Sequence, residues 1–121
     1  MKYLEVRNDP VTGRSVQETA QTSSSQVTLY EGHPPVGVSI WNEAKRAVYF
    51  EVPSGWAPGW HPAPCRRLVL TQRGVAEIET GDGRKSVIRP GDFALFADTA
   101  GDGHHTRVIE GEPWCGLAVD F

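Results

Sequence analysis

The sequence predicts an all-β domain. Short apolar runs recur at roughly 8–12-residue spacing, the rhythm of a sandwich or barrel. Turn residues separate them, supplied by thirteen glycines and nine prolines in 121 residues. No helix-length segment repeats its apolar residues with a 3.6-residue period, and no internal repeat is visible.

The elements follow in order. Residues 1–26 are expected to form an N-terminal strand and a polar loop or arm. The stretch 7–26 carries Asn8-Asp9-Pro10, Thr12-Gly13 and Thr22-Ser23-Ser24-Ser25 and few large apolar side chains, which reads as loop. Residues 27–121 hold the remaining runs. The first, 27–30, ends at Gly32-His33-Pro34-Pro35, and 36–41 ends at Asn42-Glu43. Arg46–Val52 is rich in valine and aromatics and stops at Pro53-Ser54-Gly55. Runs at 67–71 and 75–80 precede the hairpin turn Gly81-Asp82-Gly83 and the strand 85–88. Runs at 93–96, 106–110 and 114–121 complete the series. The last is apolar enough to be paired and buried, so its truncation is expected to cost much of the fold.

Bulk properties narrow the function. A chain of this length suits one domain. It has 39% hydrophobic and 22% charged residues, ordinary for a soluble globular protein. No apolar run approaches the roughly 20 residues of a membrane span, so no membrane partner is expected. The net charge of −3 argues against nucleic acid, whose binders present a basic face. The N-terminus has no apolar signal core, which reads as unprocessed and cytoplasmic. Cys65 and Cys115 are then expected to be reduced thiols. Cys65 lies beside Arg66 and Arg67, which would lower its pKa if it were exposed; a structural cysteine is the plainer reading.

Two segments concentrate the residues that carry chemistry. The first is Trp60-His61-Pro62-Ala63-Pro64-Cys65-Arg66-Arg67, followed by Leu68-Val69-Leu70 and Arg73-Gly74. The second is Pro90-Gly91-Asp92-Phe93-Ala94-Leu95-Phe96, then Ala97-Asp98-Thr99 and Gly101-Asp102-Gly103-His104-His105-Thr106-Arg107. Three of the four histidines sit in them. On a strand, alternate residues share a face, so an inward His61 carries Ala63, Arg67, Val69 and Thr71 with it. His104 and His105 must point to opposite faces.

Together the two segments resemble the two motifs of the cupin family. The resemblance implies a single jelly-roll β-barrel (a double-stranded β-helix) over 27–121, with a pocket inside. In typical cupins the first motif supplies His-x-His and a glutamate, and the second supplies one more histidine, to a divalent metal. Here the positions fall on His61, Ala63, Arg67, and His104 or His105. Two ligands remain and a cation replaces the carboxylate. At ~4 Å and an effective dielectric near 20, each unit charge pair is worth roughly 4 kcal/mol. A metal (iron, manganese, nickel or zinc) on His61 and His104 would need a further ligand such as His33, His105, Asp98 or Asp102.

The closer resemblance is to a subgroup of small cupins with Trp-His-x-Ala-Pro-Arg-Arg-Gln in the first motif and Gly-x-Gly-His-x-Thr-Arg in the second. The match runs over 59–107 and keeps Trp60, His61, Ala63, Pro64, Arg66, Gly91, Asp92, Asp98, Thr99, Gly101, Gly103, His104, Thr106 and Arg107. It selects His104 as the inward histidine. Cys65, Arg67 and Ala97 depart from it.

The expected pocket therefore holds His61, Arg67 and His104, rimmed by Trp56, Trp60 and Tyr49. Histidine can act as acid or base near neutral pH, arginine forks onto a carboxylate or phosphate, and aromatics give flat apolar walls. Asp98 could orient a histidine or form a turn with its own backbone. Trp41 and Trp114 read as core. The leading expectation is a pocket for a small, anionic organic ligand. The alternatives are a divalent-metal enzyme of oxygenase, isomerase or lyase class acting on a small organic acid, and a metal-free acid–base enzyme using His61 or His104. A homodimer is expected, since small cupins pair through sheet edges and a bare edge favours pairing.

Overall fold

A computed structural model of the chain describes residues 1–41, 43–109 and 111–121. The expected turn residue Asn42 and the expected strand end Glu110 lie outside the described residues. Among those described there is no helix, and hence none long and apolar enough to cross a membrane.

Among the described residues twelve strands run in order: β1 (Lys2–Asn8), β2 (Ser15–Gln21), β3 (Ser25–Val27), β4 (Val36–Val38), β5 (Arg46–Val52), β6 (Trp60–His61), β7 (Arg67–Arg73), β8 (Ala76–Glu79), β9 (Lys85–Ile88), β10 (Phe93–Ala97), β11 (His104–Val108) and β12 (Trp114–Asp120). They form a six-stranded sheet ordered β2-β1-β10-β7-β12-β5, a four-stranded sheet ordered β6-β11-β8-β9, and the separate ribbon β3-β4. Among the described residues the β1–β10 pair is parallel and the other pairs are antiparallel.

Both larger sheets feed one core. Val6, Val69, Phe96, Trp114 and Ala118 come from the six-stranded sheet, and Ala76, Ile78, Ile88 and Val108 from the four-stranded one. Each set has one face to bury, and facing sheets bury both at once. β12 runs between β7 and β5, in keeping with its apolar composition.

Residues 15–21, expected as loop, form strand β2 against β1. The hydropathy missed it because its inward side chains, Ser15 and Gln17, are polar and hydrogen-bonded through Oγ and Nε2. Ser15 Oγ donates to the Gly103 carbonyl (2.6 Å) and accepts from the Gly81 amide (2.8 Å). Gln17 Nε2 donates to Thr80 Oγ1 (2.9 Å) and the Arg84 carbonyl (2.7 Å). A polar group buried with partners costs little, so apolar alternation was not needed there. The apolar run at 27–30 is also corrected: the strand ends at Val27, and Leu29 and Tyr30 are exposed.

Candidate functional site

The site is built where β6 meets β11. These strands pair antiparallel, His61 opposite His104 and Trp60 opposite His105. Residue parity therefore sends the His61–His104 pair to one side and the Trp60–His105 pair to the other. The His61 and His104 rings face each other, 4.8 Å between centroids, while Trp60 packs on His105 outside, 6.1 Å apart. The approach depends on Gly103, whose φ is +72° and whose missing Cβ would sit 2.0 Å from the His61 carbonyl oxygen. Only glycine meets both conditions.

Each inner imidazole is fixed through Nδ1. His61 Nδ1 donates to the Gly59 carbonyl at 2.9 Å. His104 Nδ1 meets Asp98 Oδ2 at 2.7 Å, with both residues buried. A hydrogen bond at one ring nitrogen sets the role of the other, so Nε2 is the nitrogen each neutral ring keeps for a ligand. The Asp98 side chain bonds this ring and no turn amide; of its two readings, the structure displays the orienting contact. Phe96 lies against His104, ring centroids 4.7 Å apart.

These histidines line a cavity of about 200 Å³. The rest of its wall is mainly apolar: Val48, Phe50 and Val52 of β5, Trp56, Val69, Phe96, Trp114 and Ala118. Thr106 and Arg67 add polar groups. Trp114, expected as core, does both jobs, its Nε1 donating to Thr71 Oγ1 at 3.0 Å.

Arg67 lies on the cavity wall, as its phase with His61 implies, yet its fork is engaged. Nε bonds Asp120 Oδ1 at 2.5 Å and Nη2 bonds Oδ2 at 3.0 Å. Arg46 bonds the same Oδ2 through Nε (3.0 Å) and Nη2 (2.8 Å). The Arg67 hydrogen bond, aided by Arg46 and opposed by burial, holds the Asp120 carboxyl far below the usual carboxylate range. The same bond raises the Arg67 guanidinium above its ordinary value. Two guanidinium groups against one carboxylate leave one positive charge beside the cavity. Sequence reasoning missed Asp120 and Arg46; the signal available was a buried-side acid closing an otherwise apolar C-terminal strand.

Two expected rim residues belong elsewhere. Tyr49 sits opposite Leu117 on the outer face of β5 and β12, 62% exposed, because the alternating Val48, Phe50 and Val52 take the inner face. Trp60 is one residue out of phase with His61 and turns to the outside. Trp56 does reach the cavity, 6.4 Å from the His61 ring. Both cysteines are free thiols.

The donor set does not suit a tightly held metal. Zinc sites use at least three protein ligands. Among the described residues no three His, Cys, Asp or Glu side chains converge, and the wall that carries the two imidazoles also carries a guanidinium. His33 and Asp102 are both exposed and His105 is turned outward, so none supplements the pair. Asp98 bonds the His104 ring through Oδ2; its Oδ1 is buried and has no hydrogen-bond partner among the described residues, and the residue does not line the cavity.

No family model matches the chain, and no curated protein sequence matches it.

Proposed function

We propose that this chain is a small jelly-roll cupin whose interior pocket binds a small organic molecule with an apolar body and an acidic end. The observation that carries the reading is the facing pair His61 and His104, each anchored through Nδ1, in the wall of a mainly apolar cavity of about 200 Å³. A cavity of about 150 Å³ holds benzene, so this one suits a single-ring or short branched acid. The imidazole Nε2 atoms, Thr106 and the net positive charge of the Arg46–Arg67–Asp120 cluster supply partners for the acidic end. Few, placed polar groups in an apolar pocket are what fixes orientation in small-molecule sites.

Tryptophan fluorescence provides the test, since Trp56 and Trp114 line the cavity. Titration with benzoate and with branched short-chain carboxylates should give saturable quenching for at least one, at Kd of about 1 mM or tighter. The variant Ala118→Leu, which fills the cavity from β12, should abolish it. Quenching that persists in Ala118→Leu, or no response to any acid, would sink the reading.

The anchoring of both rings through Nδ1 also favours metal-binding imidazoles, whose other nitrogen is commonly bonded in this way. It supports the divalent-metal enzyme only weakly, because the ligand count falls short. Elemental analysis of chelator-free protein should find far less than one ion per chain. One ion per chain, lost in His61→Ala and His104→Ala, would move the conclusion to the enzyme.

A further inference from the structure

The outer side of the β6–β11 pairing carries a second recess. A groove of about 950 Å³ runs between Trp60 and three connections: the β1–β2 turn (9–14), the β8–β9 turn (80–84) and the β10–β11 loop (98–103). It shares no lining residue with the interior cavity. Its volume lies near the upper end of small-molecule sites.

The groove is held in shape by its own hydrogen bonds. Asn8 Nδ2 donates to the Ala100 carbonyl at 2.9 Å, and the Ala100 amide donates to Asn8 Oδ1 at 3.2 Å. The buried Ser15 hydroxyl joins the Gly103 carbonyl to the Gly81 amide, and the Asp82 amide donates to the Ser15 carbonyl at 3.3 Å. Within the first turn, Asp9 Oδ1 accepts from the Val11 amide (2.7 Å) and the Thr12 amide (3.2 Å). Loops already tied to one another need no ordering by a ligand, which lowers the cost of binding.

The side chains that line it are unengaged. Trp60 is 48% exposed, steadied from the sheet by its packing on His105, and its indole N–H donates to no described residue. Arg14 and Asp102 are exposed, and neither side chain makes a hydrogen bond or ion pair among the described residues, with each other or elsewhere. Tryptophan offers a flat apolar face with a polar tip. Arginine only donates and a carboxylate only accepts. An anionic ligand would be repelled by Asp102 and a cationic one by Arg14. A neutral molecule rich in hydroxyls, each both donor and acceptor, satisfies the two together. A sugar ring adds a face of C–H groups that lies flat on an indole.

We propose that this outer groove binds a neutral saccharide, one ring stacked on Trp60 and its hydroxyls shared between Arg14 and Asp102. The site is separate from the interior pocket and does not depend on its ligand.

Titration calorimetry with cellobiose, maltose, lactose and sulfated lactose tests this, on the wild type and on Trp60→Ala, Asp102→Asn and Ala118→Leu. At least one neutral disaccharide should bind the wild type with Kd of about 1 mM or tighter. Trp60→Ala and Asp102→Asn should each weaken it at least about tenfold. Both side chains are exposed, so far-UV circular dichroism of these variants should match the wild type; should Trp60→Ala unfold, Asp102→Asn decides. Trp60→Ala should leave the affinity for an acid in the interior cavity unchanged, and Ala118→Leu, which fills that cavity, should bind the disaccharide as the wild type does. Heat from none of the neutral disaccharides overturns the proposal. So does binding that survives Trp60→Ala and Asp102→Asn, or that is lost in folded Ala118→Leu. Binding of sulfated lactose without lactose would make the groove an anion site and overturn it as well.

Discussion

The substitution Arg67→Gln tests how the charged corner of the cavity works. It removes two hydrogen bonds to Asp120, at 2.5 and 3.0 Å. Asp120 is 4% exposed, so the carboxylate it leaves behind has little water to turn to. Breaking a buried pair by deleting one partner costs ~3–5 kcal/mol. Two features lower that figure here. Arg46 stays on Oδ2, although an ion pair with its side chain mostly in water contributes about 1 kcal/mol or less. Glutamine also keeps part of the stem and an amide donor. The expected loss is about 2–4 kcal/mol at neutral pH, a fall of roughly 10 °C in Tm. The pH dependence has a fixed sign. The folded Asp120 carboxyl titrates below its unfolded value, so its contribution is present above about pH 4 and is lost as the pH falls through the folded value. The variant holds the carboxylate less firmly, so it has less to lose. Urea unfolding of both proteins should therefore show a gap at about pH 7 that narrows toward about pH 2. A gap under about 1 kcal/mol at neutral pH, the range of an exposed pair, would refute the buried-pair argument. So would a gap that does not change with acid.

Further outcomes follow from the same geometry. Gly103→Ala should cost at least about 2 kcal/mol in urea unfolding, because the residue would be strained at φ +72° and would collide with the His61 carbonyl. It should also abolish acid-induced quenching, since β6 and β11 must separate; unchanged binding would show that the His61–His104 pairing does not make the pocket. Tyr49→Ala and Trp60→Ala should each leave ligand affinity within about twofold and stability within about 0.5 kcal/mol, as both side chains point outward. A tenfold loss of affinity in either would return that residue to the rim.

Much of the strand pattern was legible in the chain because the short apolar runs and their glycine turns are local properties. The all-β class, the span of β5, the Gly81–Gly83 turn and the buried C-terminal strand all come from side-chain periodicity and turn chemistry. So does the opposite facing of His104 and His105, which follows from strand parity alone. The singling-out of His61, His104 and Asp98 rested on the resemblance of two short segments to a known pattern, and the structure brings those three side chains together.

What the tertiary structure decided are the pairings between distant residues. β2 is invisible to hydropathy because its inward side chains are polar, with Ser15 Oγ and Gln17 Nε2 bonded to carbonyls, an amide and a hydroxyl from loops some 60–90 residues away in sequence. The engagement of Arg67 by Asp120 joins positions 53 residues apart, and no local pattern foretells which acid a cation meets. Tyr49 and Trp60 were placed by register: a shift of one residue reverses the face of a side chain, and register is set by the neighbouring strand. The sequence by itself determined which segments could be strands and which residues could do chemistry. The tertiary structure alone decided which of them share a wall, because proximity across a sheet is set by hydrogen-bonded pairing and not by distance along the chain.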